Sequence, residues 1–125
     1  MLEIVMAGKP YSFNFGIGFL RSIDSTVQAD VPDTKGVKKA IGFRYHFSSV
    51  LDGDVQSFET ILYHANLGQN PRVTMAILDS WIDDPETDLD KTMKEVQDFL
   101  LESNACKKLV KTIIKRIEEA AEKQA

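Results

Sequence analysis

The chain has few of the residues that stabilise a protein covalently or hold it in a membrane. It contains a single cysteine among 125 residues, which excludes an intrachain disulfide and a cysteine-based zinc set. No apolar run reaches the roughly 18 residues that a membrane-spanning helix needs. The first residues lack the basic start and long apolar stretch of a secretory signal peptide. These absences favour an intracellular protein in a reducing cytoplasm, with no membrane association.

Composition and charge describe an ordinary globular chain. Apolar residues make up 43% and charged residues 27% of the sequence, and the length suits one domain spanning residues 1–125. The formal charge of −4 argues against nucleic acid as a partner, because phosphate binding requires a net basic face.

Residues 2–15 alternate between apolar and polar positions around a turn at Gly8 and Lys9. Two runs of period two around a glycine-containing turn predict a β-hairpin. A lone hairpin is marginally stable, so helices must cover its apolar face. The apolar positions are Leu2, Ile4 and Met6 before the turn, and Tyr11, Phe13 and Phe15 after it.

From residue 16 onwards apolar residues recur with the period of an α-helix, which predicts a helical region over residues 16–121. The first helix is expected at about 16–25 and the second at about 35–51, with Val37, Ala40 and Ile41 on its apolar face. Residues 26–34 have weak periodicity and a proline, which indicates a loop. The third helix begins near Val55 and includes Ala65.

Three more helices are predicted in the second half of the chain. Asn70 is expected to cap a helix over Pro71–Ile82, since proline suits a first helical position. The fifth helix follows Thr87 or Asp88, and the sixth follows Asn104. Residues 122–125 should fray, because nothing large is buried there. The predicted fold is α+β: an N-terminal β-hairpin packed on a mainly α-helical domain of five to six helices.

The last helix is the best candidate for a partner-binding surface. Its residues form an apolar stripe with a basic flank: Leu109, Val110, Ile113, Ile114 and Ile117, beside Lys111, Lys115 and Arg116. The alternative is that this stripe closes the monomer core, and Ile113→Asp separates the two because only a core position would unfold the protein. The basic residues could pair with the acidic fifth helix or with an acidic patch on a neighbouring copy.

No pattern indicates catalysis, a cofactor or a metal. Cys106 lies on an apolar stripe, where cysteine behaves as a small hydrophobe, and no local signature pairs it with His46 or His64. The two histidines lie on different predicted helices without a third ligand. The acidic segment Asp83–Asp90 lacks the glycine and glutamate of a calcium loop. We therefore expect no catalytic, cofactor-binding or metal-binding residues.

Three segments carry a resemblance to a known family: AGKPYSFNFGIGFLR, ANLGQNPRVT (Ala65–Thr74) and DDPETDLD (Asp83–Asp90). With the residues between them, they resemble the tail assembly chaperones of long-tailed (siphovirus-type) bacteriophages that infect Gram-positive bacteria. The resemblance implies a non-enzymatic factor that binds the tape measure protein. It also implies a longer, frameshifted form that recruits tail tube subunits. Such chaperones act in the host cytoplasm and are absent from the mature virion.

Two further expectations stand beside this resemblance. Phe43, Tyr45 and Phe47 cannot share one helix face, and surplus apolar surface of this kind favours a homo-oligomer. A small nucleic-acid-binding or regulatory phage protein is the main alternative, although the chain has no basic recognition helix. A small enzyme that uses Cys106 is a second alternative, although no base is positioned beside the thiol.

Overall fold

A computed structural model describes residues 1–124 and contains an N-terminal hairpin followed by six helices, which confirms the predicted α+β class. A second, short hairpin lies between the first two helices. The elements in chain order are β1 (Leu2–Met6), β2 (Lys9–Phe13), α1 (Ile17–Asp24), β3 (Gln28–Asp30), β4 (Lys38–Ala40), α2 (Gly42–Leu51), α3 (Val55–Ala65), α4 (Met75–Asp83), α5 (Leu89–Glu102) and α6 (Lys107–Gln124).

The first hairpin pairs β1 with β2 in antiparallel register, with Leu2 opposite Phe13 and Ile4 opposite Tyr11. Its turn is formed by Ala7 and Gly8, one residue earlier than the pattern predicts. Both have positive φ, as the two-residue turn that fits the right-handed twist of the strands requires. The predicted apolar face is confirmed, because its residues are buried or half-buried against the helices.

Aromatic rings connect the hairpin to the first two helices. Phe15 and Phe19 meet edge to face at 5.2 Å, Phe19 and Phe43 at 6.0 Å, and Phe43 stacks on Phe47 at 5.5 Å. All four side chains are buried, whereas Tyr45 between them on α2 is exposed. The core therefore includes one face of the first hairpin and continues through Phe15 and Phe19 to one face of α2.

The junction of α1 and α2 is close and polar. A side chain at Gly42 would clash with the carbonyl oxygen of Ile23, so only glycine fits there. Asp24 accepts a hydrogen bond of 2.9 Å from the backbone N–H of Phe43. The Asp24 side chain of α1 thus accepts from a backbone N–H in the first turn of α2 that has no partner within its own helix, and no side chain at the N-cap of α2 forms a cap.

The prediction of a loop over 26–34 and a helix from residue 35 is wrong. β3 and β4 form a second antiparallel hairpin there, and α2 begins at Gly42. Positive φ values at Asp33 and Gly36 interrupt any helix in this segment. Val37, Ala40 and Ile41 have helical spacing, but they bury no face: the first two are exposed and the third is half-buried.

The predicted start of α4 at Pro71 is also wrong. The Asn70–Pro71 peptide is cis, and residues 71–74 run in extended or irregular conformation before α4 begins at Met75. Thr74 caps the helix by accepting a hydrogen bond from the backbone N–H of Ile77. Val73, predicted on the helix face, is buried in the core from the segment before the helix.

The reason for this later start is the buried side chain of Asn66, which follows α3. Its amide nitrogen donates to the carbonyl oxygen of Ser12 in β2, at 2.9 Å, and to that of Pro71, at 3.3 Å. Its amide oxygen accepts from the backbone N–H of Val73 and from the Arg72 guanidinium, both at 2.6 Å. One buried amide therefore connects the first hairpin to the segment before α4 and holds that segment out of helical geometry.

The ends of the last two helices mostly match the sequence pattern. Asp88 caps α5 by accepting a hydrogen bond from the N–H of Lys91. α6 begins at Lys107, directly after Cys106, which the pattern placed inside this helix. The predicted frayed tail, 122–125, is helical as far as Gln124, and Ala125 lies outside the described residues. Its fraying stays a prediction.

Candidate functional site

The apolar stripe predicted on α6 is divided between the core and the surface. Val110 and Ile113 are buried, with 0% and 5% of their surfaces exposed, while Leu109 and Ile114 are half-buried. Ile117 is 40% exposed. An intact monomer therefore does not offer Val110 or Ile113 to a partner, and Ile113→Asp tests the core rather than a binding surface.

The basic flank of α6 is exposed and has no carboxylate partner among the described residues. Lys111, Lys115 and Arg116 all lie at the surface. Within residues 1–124 the one ion pair joins Lys38 to Asp30 in the second hairpin. The alternative in which these cations pair with α5 of the same chain is therefore not found, and their role in binding a partner stays a prediction.

An apolar groove opens between α2, α3 and α5. Its cavity measures about 240 Å³, and buried core side chains form its floor: Phe47, Phe58, Ile61 and Val96. Val50, Leu51 and Met93 stand at its edges, and Leu51 is 38% exposed. Asp90, Lys94 and Gln97 add a polar margin. An apolar floor with a polar rim is the usual anatomy of a protein interface.

A second, larger groove lies between β1 and the α4–α5 connection, with a volume of about 720 Å³. Its apolar lining residues are Ile4, Val5, Ile77 and Trp81. Five carboxylates surround it, from Glu3, Asp84, Glu86, Asp88 and Glu95, against one cation, Lys91. We call this the acidic groove.

A smaller acidic cluster joins α3 to α4. Burial, a hydrogen bond with Asp79 and the charges of Asp79 and Asp83 raise the pKa of Glu59 to about 7. Protonation of Glu59 therefore relieves repulsion between neighbouring carboxylates. The raised pKa follows from the contact between the two helices, and no ligand is needed to account for it.

Cys106 is buried and the two histidines are half-buried, and each contacts a hydroxyl or carbonyl group of a neighbouring residue. Cys106 is fully buried beside the carbonyl oxygen of Phe15, and burial raises the pKa of its thiol, which disfavours the reactive thiolate. His46 contacts the Ser57 hydroxyl at 3.0 Å, and His64 contacts the Ser22 hydroxyl at 2.7 Å. Burial lowers the pKa of both imidazoles and favours their neutral forms. Neither histidine lies in hydrogen-bonding contact with the thiol.

The described residues place no three histidine, cysteine, aspartate or glutamate side chains where they could hold a metal ion. Over the same part of the chain, no helix has the length and apolar character needed to cross a bilayer.

Sequence periodicity did not reveal either groove. Each is lined by elements that are distant in the chain, and the acidic groove depends on where the α4–α5 connection lies beside β1. Two features of the sequence could have indicated the acidic groove: the apolar Val5 on the polar face of the first strand, and the excess of acidic residues over Asp83–Asp90.

Comparison with known families confirms the resemblance at the level of a tail assembly chaperone. The family described as "Phage tail assembly chaperone protein, TAC" matches residues 3–115, which include both hairpins except Leu2, α1 to α5 and the first half of α6. Neither the curated proteins nor the solved structures compared with this chain match it significantly. Because the match covers most of the sequence, the chain belongs to the phage tail assembly chaperone family.

Proposed function

We propose that this protein keeps the tape measure protein of a long-tailed phage of Gram-positive bacteria in solution during tail assembly. Family membership supports a role in tail assembly, and the apolar groove between α2, α3 and α5 is the observation that carries the finer proposal. A tape measure protein is a long helical chain with a repeated apolar face, and such a helix binds an apolar groove through side chains one turn apart.

The groove suits this task better than the α6 stripe does. Its floor belongs to the core, so it exists before any partner arrives, and its edge residue Leu51 is exposed at the end of α2. Preformed apolar sites lose less conformational entropy when they are filled. Of the α6 stripe only Ile117 is exposed, and no α6 residue lines the groove.

In this proposal the protein has no enzymatic activity and needs no cofactor. The chaperone family to which the chain belongs is generally non-enzymatic. The protein acts in the host cytoplasm and is absent from the mature virion. A longer form made by frameshifting recruits tail tube subunits to the coated tape measure protein.

Co-expression with the tape measure protein of the same phage tests this function. We expect the wild type to keep the partner soluble. Leu51→Arg should leave the melting temperature nearly unchanged, because Leu51 is exposed, and should return the partner to the insoluble fraction.

Tyr45→Arg is the matched control, because Tyr45 lies on the same helix, is 51% exposed and does not line the groove. It should protect the partner as the wild type does. If the wild type leaves the tape measure protein insoluble and unbound, the function is wrong. If the wild type protects it and Leu51→Arg protects it equally, only the assignment to this groove is wrong.

A further inference from the structure

The backbone groups of the first hairpin point alternately toward the partner strand and away from it. In an antiparallel pair, opposite residues that bond to each other alternate with opposite residues whose N–H and C=O groups point outward. Met6 and Lys9 flank the two-residue turn and form a bonded pair. The next pair, Val5 opposite Pro10, is therefore an outward pair, which agrees with the missing N–H of proline. Glu3, two residues earlier in β1, directs its backbone groups outward in the same way.

The outer edge of β2 is closed to a further strand. Pro10 has no N–H to donate, and the Ser12 carbonyl oxygen accepts a hydrogen bond of 2.9 Å from the Asn66 side chain. Directly after β2, the Asn14 N–H donates to the Ala65 carbonyl oxygen at 2.8 Å. Prolines and covering contacts of this kind protect sheet edges from pairing with other chains.

The outer edge of β1 is open. Within residues 1–124, no hydrogen bond joins the backbone of Glu3 or Val5 to a residue outside the hairpin, and both residues are exposed. Both line the acidic groove, whereas no β2 residue does, so the groove runs along the open edge and not across a face of the hairpin. The outward groups of the two residues lie about 6.8 Å apart along the strand and can form up to four backbone hydrogen bonds.

The opposite side of the acidic groove offers contacts for the side chains of an added strand. Ile77 and the half-buried ring of Trp81 are its apolar residues there. The α4–α5 connection and α5 supply four carboxylates against one cation, Lys91: Asp84, Glu86, Asp88 and Glu95. Because successive side chains of a strand point to opposite faces, apolar and basic residues that alternate can meet both kinds of contact. Lysine and arginine stems also pack on apolar surface while their charges stay at its polar edge.

We propose that the acidic groove binds an extended, basic segment of another protein, which joins the first hairpin as a third strand beside β1. Backbone hydrogen bonds to Glu3 and Val5 supply affinity, and the carboxylates and apolar side chains of the groove select the residues of the segment. This strand addition differs from the binding of a helix between α2, α3 and α5. It does not depend on the function proposed above.

A short peptide of alternating lysine and valine tests the proposal on the intact protein. N-methylation of the amides along one edge prevents the peptide from pairing with itself and leaves its other edge free to bond to β1. At low salt the peptide should change the emission of Trp81, the single tryptophan, and slow hydrogen exchange of the Glu3 and Val5 amides.

The same peptide methylated along both edges is the matched control, because it keeps the charges and the apolar side chains but cannot pair with a strand. It should bind at least roughly fivefold more weakly than the peptide with one free edge, since the backbone hydrogen bonds are lost. It should protect neither the Glu3 nor the Val5 amide.

Substitutions in the groove separate backbone pairing from charge. Val5→Pro removes an outward N–H without removing a bond within the hairpin, so the melting temperature should stay nearly unchanged and the peptide should bind roughly fivefold more weakly. Glu86→Lys should weaken binding severalfold at low salt and much less at 1 M salt, where the Debye length is about 3 Å. Glu119→Lys is its control, because it makes the same change of charge at an exposed position of α6 outside the groove.

The proposal is overturned if the peptide with one free edge does not bind, or if the doubly methylated peptide binds equally well. Protection of amides elsewhere than in β1 would also contradict it. If Val5→Pro unfolds the protein, the two peptides compared on the wild type still decide the question. Protection of the Glu3 and Val5 amides that grows with protein concentration, without any peptide, would assign this edge to a second copy and overturn the proposal.

Discussion

The two hairpins of this protein have the same antiparallel geometry, but only the first packs its side chains into the core of the described residues. The first has strands of five residues, buries one face in the core and contributes residues of β1 and of its turn to the acidic groove. The second has strands of three residues and contributes no residue to the core. Backbone pairing alone therefore does not decide how much a hairpin contributes to stability; the side chains it buries do.

The largest expected contrast comes from removing one apolar side chain in each hairpin. Phe13 is fully buried, so Phe13→Ala should lower the free energy of unfolding by about 3–5 kcal/mol through lost burial and a residual cavity. Val37 is 49% exposed, so Val37→Ala should change it by no more than about 0.5 kcal/mol. Chemical denaturation measures both. Similar losses would show that the second hairpin also supports the core.

A second contrast concerns the hydrogen bond from the buried Asn66 side chain to the Ser12 carbonyl oxygen of the first hairpin. Asn66→Ala leaves the Ser12 carbonyl and the Val73 N–H without this partner, and each unpaired buried group costs about 1–3 kcal/mol. We expect a loss of about 3 kcal/mol and faster hydrogen exchange in β2. Asn104→Ala is the control, because Asn104 is exposed and its one side-chain hydrogen bond among the described residues is with the Lys107 side chain. A loss no larger than that of the control would mean that the first hairpin is held by apolar contacts alone.

The two turns offer a matched test with a smaller effect. Gly8 and Gly36 have nearly the same φ, +75° and +76°, and an added Cβ meets no atom within 4 Å at either. Alanine in this left-handed region costs roughly 1–2 kcal/mol locally. Gly8→Ala should lower the global stability by that amount, because the first hairpin unfolds with the core.

Gly36→Ala should mainly accelerate exchange of the Val31 amide, which donates to the Val37 carbonyl at 3.0 Å across the second hairpin. This hairpin can open while the core stays folded, so the cost remains local. Equal shifts in the global unfolding transition for the two variants would contradict this separation.

The same contrast explains what could be predicted from the sequence. Burial of one face imposes period two on residues 2–15, so the first hairpin was recognisable. The second hairpin buries no face, and its strands carry no period. Val37, Ala40 and Ile41 happened to fit a helical spacing instead. The turn residues Pro32, Asp33 and Gly36 were the available signal.

Long-range contacts account for the remaining differences. Capping rules predict that α4 starts at Pro71. The sequence around Pro71 does not show that the Asn66 side chain hydrogen-bonds to Arg72 and Val73 and holds them outside the helix. The α6 stripe was correctly identified as apolar, but its division between core and surface depends on how far α2 and α5 extend beside it. A one-dimensional pattern gives the face of a helix, while the neighbouring elements decide how much of that face is covered.

The smallest expected effect is that of the ion pair between Asp30 and Lys38, which joins β3 to β4. Both side chains are largely exposed, and exposed pairs contribute about 0–1 kcal/mol and weaken with salt. A double-mutant cycle with Asp30→Asn and Lys38→Gln should therefore give a coupling energy below about 0.5 kcal/mol in 0.15 M salt. Exchange of the Ile41 amide, which donates to Val27 at 2.9 Å, reports whether the hairpin stays closed without the pair. A coupling energy well above 1 kcal/mol would show that side chains also hold the second hairpin together. The two hairpins would then differ in the kind of side-chain contact that stabilises them: an exposed ion pair in the second and buried apolar contacts in the first.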